Sequence, residues 1–339
     1  MYKVGIVTYY DAINEGAFLQ AYCLKTFLEE NFDVQVYFVE NNQINNLKLQ
    51  RKRLFHVKNP RIYINNICRY AALVHSQKRF LQTNKKNDSL DLVIVGSDEM
   101  WNVSNALFCS YNVDGNTLVK KRISYAVSMG NFSEELSLDM VEKIKQFYSI
   151  SVRDYNAKNI LENSGIQYVD MHLDPVFLID IQAQTPIKKL EPYLMVYGNI
   201  RDERNIGAIK NFAHKNGFKI VSVDIYNKWC DINIPAKNPF EFVGLIDSAQ
   251  FIVTNMFHGT MLSIVRKRPF ISIQTSRRRK KMTYVTELFK VSNRCIDEQD
   301  FKVIEDMHQQ ALDGEYIDSI IDIQRSIARN YFNDALESN

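Results

Sequence analysis

Strand-like and helix-like stretches alternate along this chain, stop once, and then alternate again. Short runs rich in Val, Ile and Tyr occupy 3–9, 34–40, 90–98, 122–128, 149–154 and 166–175. Helical patterns lie between them. In 16–30, Ala17, Ala21, Leu24 and Leu28 fall on one stripe, and 134–147 is a second such segment. Strands separated by helices require right-handed crossovers, which produce a parallel sheet covered on both faces. Residues 179–192 break the pattern with a polar stretch carrying two prolines. The alternation restarts with strands at 193–198, 218–223, 250–255 and 269–274 and helices near 203–216, 239–247 and 260–267. A last amphipathic helix covers 315–337, with Ile317, Ile320, Ile327 and Tyr331 on one face.

The expected fold is therefore α/β, with two doubly wound parallel-sheet domains facing a cleft. A chain of 339 residues fits that reading, since roughly 100–200 residues make a domain. The expected division is an N-terminal domain over 1–182 with a basic insertion at 41–87, a C-terminal domain over 183–314, and a helix over 315–339 packing back on the first domain. No run of about 18 apolar residues predicts a transmembrane helix. The N-terminal stretch lacks the long apolar core of a secretory signal, so a cytoplasmic location is expected. Five scattered cysteines form no Cys-x-x-Cys pair, and six histidines show no His-x-x-x-His spacing. Neither a disulfide framework, a protein-built metal site nor a bound cofactor is expected.

Ligands of doubly wound sheets bind at the carboxyl ends of strands, so the turns after the strands carry the functional reading. Four are unusual. In "TYYDAINEGAFLQ" (8–20), Asn14 and Gly16 precede a helix whose first N–H groups suit an anion or polar oxygen; ordinary capping by Asn14 or Asp11 is the alternative. One glycine is too few for a dinucleotide fingerprint. In "VIVGSDEMWN" (93–102), Asp98 suits a general base towards a sugar hydroxyl and Trp101 a stacking platform; a helix cap and a core tryptophan are the alternatives. In "TNMFHGT" (254–260), the N–H groups of Gly259 and Thr260 suit a phosphate, and His258 can donate a proton near neutral pH; a structural histidine is the alternative. In "TSRRRKKMTY" (275–284), Arg277, Arg278, Arg279, Lys280 and Lys281 either face solvent or line the cleft, where guanidinium groups bind carboxylate or phosphate in pairs of hydrogen bonds.

Together these turns resemble the polysaccharide pyruvyl transferase family. "NEGAFLQAYCL", "GSDEMWN", "SYAVSMG", "SVRD", "LDPVFL" and "TNMFHGTMLSIVRKRPF" follow the family's motifs in order over most of the chain. The resemblance implies a two-domain fold similar to the glycosyltransferase B type. It also implies phosphoenolpyruvate as co-substrate and a sugar hydroxyl pair as acceptor, in a cell-surface polysaccharide or its lipid-linked precursor, giving a pyruvate ketal. On this reading His258 and Asp98 are the catalytic acid and base. Arg153, Asn255, Gly259, Thr260, Arg278, Arg279 and Lys281 bind the donor, and Asn14, Gly16, Gln20, Ser97, Trp101 and Asn102 bind the acceptor. Met256 stands where the family often has Ser, and Glu15 where it often has an aromatic residue. The rival readings are a nucleotide-sugar glycosyltransferase of the same architecture and a non-catalytic family member.

Net charge is only +3, but residues 41–87 hold eleven Lys or Arg and no acid, which leaves −8 for the remaining 292 residues. Basic side chains interleaved with Leu54, Phe55, Ile62, Tyr63, Ile64, Ile67, Tyr70, Leu73 and Phe80 read as a surface for an anionic membrane, peripheral at its inner face, or as a solvated insertion. Nucleic acid is not expected, because no recognition motif accompanies the charge.

Overall fold

The computed structural model describes residues 2–39, 52, 54–83, 89–102, 119–186, 190–275, 279–297 and 303–337. The first half runs β1 (Tyr2–Val7), α1 (Glu15–Asn31), β2 (Val34–Phe38), α2 (Pro60–Phe80), β3 (Leu90–Asp98), β4 (Val119–Val127), α3 (Leu138–Ile144), β5 (Ile150–Val152), α4 (Tyr155–Asn163) and β6 (Val169–Met171). Its six strands pair in the order β2-β1-β3-β4-β5-β6, all in parallel.

The second half runs β7 (Tyr193–Tyr197), α5 (Glu203–Lys215), β8 (Lys219–Val223), β9 (Ile232–Ile234), α6 (Pro239–Ser248), β10 (Phe251–Thr254), α7 (Phe257–Val265), β11 (Phe270–Ile273), α8 (Thr283–Leu288), β12 (Cys295–Ile296), α9 (Ile304–Gln309) and α10 (Gly314–Glu337). These strands form a second parallel sheet in the order β12-β11-β10-β7-β8-β9. The two-sheet α/β architecture is the one expected.

Central strands are buried throughout and mostly apolar because helices cover both faces: every residue of β7, β10 and β11 is buried. One continuous buried cluster holds Ile6, Leu24 and Tyr125 of the first half together with Tyr197, Phe242 and Leu262 of the second. Separate clusters around Trp101, Val152 and Leu161, and around Leu194, Ile209 and Phe251, fill the outer faces of the two sheets. Edge-on aromatic contacts of Phe18 and Tyr22 on α1 and Phe80 on α2 with Phe240 on α6 join the halves. The terminal helix α10 lies against the first sheet. There Tyr331 donates to the Ser124 carbonyl at 2.6 Å and Phe332 packs against Phe27, Phe32 and Tyr125.

Several elements differ from the sequence expectations. The helix expected at 134–147 is only Leu138–Ile144, opened by Ser137, whose side chain accepts from the Met140 N–H. The strand expected at 166–175 shortens to Val169–Met171 because Asp174 and Pro175 start a one-turn 3-10 helix. Two short edge strands, β9 and β12, carry too few residues for a periodic signal. Helix α7 starts at Phe257 rather than near 260: the Thr254 hydroxyl accepts from the Met256 N–H at 3.0 Å and turns the chain at once.

Candidate functional site

Strand order reverses between β1 and β3 in the first sheet and between β7 and β10 in the second. Such switch points are where doubly wound sheets open a crevice at the strand carboxyl ends. The turn leaving β3 carries Ser97 and Asp98, and the turn leaving β10 carries His258. The two switch points face each other closely. A Cβ added at Gly16, in the first turn of α1, would lie 2.3 Å from the His258 ring in the first turn of α7. Gly16 thus lets two helix starts from opposite halves touch.

Asp174 sits at the middle of this contact and is fully buried. Its Oδ2 accepts from the Ser97 hydroxyl at 2.9 Å and from Arg153 Nη1 at 2.7 Å, and lies 3.5 Å from His258 Nε2. Its Oδ1 accepts from the Val176 N–H at 3.2 Å. Burial alone would push this carboxyl up. The neighbouring His258, then Arg153 and the Val176 N–H, bring it down to about 2, so Asp174 is ionised at neutral pH. Arg153 Nη2 also donates to Asp98 Oδ1 at 3.1 Å, and its guanidinium carbon lies 4.1 Å from the centre of the Phe257 ring. Arg153 Nε is buried without a hydrogen-bond partner. Asp98 has a backbone φ of +69°, a left-handed conformation that Asp tolerates better than most residues.

Two pockets adjoin at Asp98. The smaller, of about 160 Å³, is lined by Asp98, Glu99, Arg153, Asn255, Met256, Phe257, Gln274, Lys281 and Met282. It is closed across the cleft by the ion pair of Lys281 with Glu99. That partner, together with the Asn102 amide at 3.0 Å, outweighs burial and holds the Glu99 carboxyl below its usual range. The larger, of about 430 Å³, is lined by Tyr9, Ala12, Ile13, Asn14, Ala17, Leu54, Asn66 and Asp98. Among the described residues, the smaller pocket carries two carboxylates and two cations, whereas the larger is mostly apolar with amides at its wall.

Of the expected catalytic pair, Asp98 lies on both pocket walls. His258 lies behind them, 6 % exposed, and lines neither. Among the expected donor residues, Arg153, Asn255 and Lys281 line the smaller pocket. Three others are placed differently. The Thr260 N–H already donates to the Met256 carbonyl inside α7, and its hydroxyl meets Ser272 at 2.6 Å, so it is a packing residue. Gly259 is spent on close packing, since a Cβ there would lie 2.2 Å from Thr254 Oγ1. Arg279 turns away to Asp297 at 2.7 Å. Arg278, with Arg277, falls outside the described residues.

On the acceptor side, Asn14 caps α1 by accepting from the Ala17 N–H at 3.1 Å and also lines the larger pocket. Three expectations fail through burial. Trp101 is completely enclosed, edge-on to Phe147 at 5.5 Å, and has no free face for a sugar. Gln20 is buried and donates to Thr8 and the Ala17 carbonyl. Ser97 is buried and serves Asp174. Asn102 supports Glu99 and lines neither pocket, and Gly16 contributes space for the His258 ring rather than a ligand contact.

Sequence reasoning missed Asp174 and Glu99. Asp174 had a usable signal, a carboxylate before proline in "LDP" just past a short strand, the same strand-end placement that singled out Asp98. Glu99 had none, because its value comes from Lys281, 182 residues away.

Two parallel six-stranded sheets meeting through facing switch points define the glycosyltransferase B type of fold. The UDP-GlcNAc 2-epimerase from Neisseria meningitidis bound to UDP-GlcNAc superimposes with a TM-score of 0.54, at 12 % identity, over 100 % of both chains. The epimerase from Methanocaldococcus jannaschii gives 0.51 at 11 % identity, over 96 % of this chain and 99 % of that one. At such identities the likeness is one of fold alone. No curated protein matches the sequence. The sequence profile of the polysaccharide pyruvyl transferases matches residues 14–277, well over half of the chain, and the chain belongs to that family.

Proposed function

We propose that this chain moves a pyruvyl group from phosphoenolpyruvate onto two hydroxyls of a sugar in a cell-surface polysaccharide or its lipid-linked precursor, forming a cyclic ketal. The observation that carries this reading is the position of Asp98 on the wall shared by two pockets, one holding Arg153 and Lys281, the other broad and mostly apolar. Family membership supports it.

The smaller pocket suits a compact anion. Arg153 lines it with its guanidinium charge, and Lys281 would exchange Glu99 for a donor oxygen. The larger pocket suits a sugar ring, with the Tyr9 side chain and the Asn14 and Asn66 amides at its wall. The reaction starts with a proton on the methylene carbon of phosphoenolpyruvate, which makes C2 electrophilic. One acceptor hydroxyl bonds to C2 and gives its proton to Asp98. The C2–O bond to phosphate breaks, and the second hydroxyl closes the ketal. The two hydroxyl protons end on the new methyl group and on the phosphate. His258 is the proposed acid: its Nε2 lies 3.5 Å from Asp174, and the residue sits directly behind the donor-pocket wall that its neighbour Phe257 forms.

Calorimetry with phosphoenolpyruvate and, separately, with UDP-GlcNAc tests the donor. Phosphoenolpyruvate should bind, and Lys281→Ala should weaken it by at least ~10-fold, the scale of one charge-assisted hydrogen bond. Binding of UDP-GlcNAc with none of phosphoenolpyruvate would replace this reading with a nucleotide-sugar glycosyltransferase. Donor binding without turnover on any acceptor would make the chain a non-catalytic member. Near-normal turnover of His258→Ala would remove His258 as the acid.

A further inference from the structure

Helix α2 presents a face that the site does not use. Its inner face is anchored on both halves. Arg69 makes two 2.6 Å bonds to Glu15, Asn65 donates to the Asp224 carbonyl at 2.9 Å, and Asn66 lines the larger pocket. Its outer face carries Ile64, 61 % exposed, and Ile67, 42 % exposed, with Tyr63 beside them at 41 %. At 100° per residue, Ile64, Ile67 and Ala71 share one arc with Arg61 at its start and Lys78 and Arg79 at its end. All of these are exposed, whereas Ile62 and Phe80 on the same helix turn partly inward. The arc is thus apolar at its middle and basic at both ends.

No acid occurs anywhere from 41 to 87, so no charge within the segment neutralises Arg61, Lys78 or Arg79. Exposed basic side chains flanking exposed isoleucines on one helix fit an anionic lipid surface, where the apolar middle enters the headgroup boundary and the cations meet lipid phosphates. No helix among the described residues is long and apolar enough to cross a membrane, so such contact would be peripheral.

We propose that the outer face of α2 docks the protein onto an anionic membrane surface, with the larger pocket at the edge of the contact because the same helix lines it through Asn66. Binding to lipid is independent of any transfer reaction, so this inference stands or falls separately from the donor and acceptor assignments.

The test is co-sedimentation of the full chain with vesicles of phosphatidylglycerol and phosphatidylcholine, against phosphatidylcholine alone, without donor or acceptor. The chain should sediment with the anionic vesicles and be released by high salt. Arg61→Glu with Lys78→Glu should weaken binding by at least ~10-fold, since each cation near such a surface adds to its attraction to lipid phosphates. Ile64→Glu with Ile67→Glu should abolish binding while leaving the melting temperature unchanged, because both side chains are already exposed. Equal sedimentation with neutral vesicles, or retention by both double variants, would overturn the proposal. So would a dimer in light scattering that Ile64→Glu with Ile67→Glu converts to monomer with vesicle binding unaltered, since the face would then belong to a second copy of the chain.

Discussion

Two buried arginines sit at the junction of the halves, and they differ in how completely they are satisfied. Arg69 meets Glu15 through two parallel bonds of 2.6 Å. Burial opposes its charge, but Glu15 more than offsets that and raises its pKa further. Neither Arg69 nor Glu15 lines either of these two pockets. Arg153 is divided between Asp174 and Asp98, lies over Phe257, lines the smaller pocket and keeps a buried Nε without a partner. A guanidinium closed on one carboxylate is a clamp. One shared between two carboxylates and lining a pocket keeps its charge beside the space a ligand would fill.

The largest effect should come from the unfinished cluster. Asp98→Asn keeps an acceptor for Arg153 and tolerates the left-handed backbone, so the fold should persist while turnover drops by ~10²–10⁴, the range of a lost general base. Steady-state rates with phosphoenolpyruvate and a sugar acceptor read this out, and unchanged turnover would dismiss Asp98 as the base. Arg69→Ala should do the opposite. It leaves Glu15 buried and uncompensated, at about 3–5 kcal/mol of stability, while the folded protein binds phosphoenolpyruvate as tightly as before. Urea melts with calorimetry separate the two; loss of donor affinity in this variant would erase the distinction between clamp and site.

Gly16→Ala probes the contact between helix starts. The added methyl meets the His258 ring, and the expected loss is about 1–3 kcal/mol together with reduced turnover if His258 is the acid. A stability loss with full activity would make the ring a spacer only. Acid tests Asp174. Its carboxyl is held at about 2, below an ordinary 3.8, so its contribution is fully present above pH 4 and disappears as pH falls towards 2. Between pH 5 and pH 2 the wild type should lose roughly 2 kcal/mol more than Asp174→Asn.

The smallest effect belongs to the clamp side. Asp224 is buried near Glu15, and burial first, then Glu15, pushes its carboxyl well up. Its Oδ1 accepts from the Ala236 N–H at 2.7 Å while Oδ2 has no partner, and its φ is +62°. Asn suits that backbone and carries no charge to desolvate. Asp224→Asn should therefore stabilise the protein at neutral pH, and less below pH 4, where the unfolded aspartate is protonated too. A destabilised variant would mean that the clamp needs the carboxylate.

Much of the candidate site was readable as types of residue at strand ends. Asp98 and Lys281 stood out in the strand-end turns, Arg153 and Asn255 only through the family resemblance, and all four line the smaller pocket. Trp101 and Thr260 stood out in the turns, Ser97 and Gln20 through the resemblance, and all four are buried. A turn residue's chemistry is written in its name, but its direction depends on what packs over the turn. Asp174 and Glu99 were overlooked because their importance lies in partners brought from distant parts of the chain.

By itself, the sequence determined the two-sheet α/β architecture, because hydrophobic periodicity is local: each strand and helix declares its buried face within a few residues. It also determined that basic charge concentrates around α2, since that is a matter of composition. Tertiary structure alone decided which groups meet. The contact of Gly16 with His258, the convergence of Ser97, Arg153 and His258 on Asp174, and the pairing of Lys281 with Glu99 all join residues far apart in the chain. Their energies depend on distances of a few ångströms and on exclusion of water, and neither exists until the two halves close on each other.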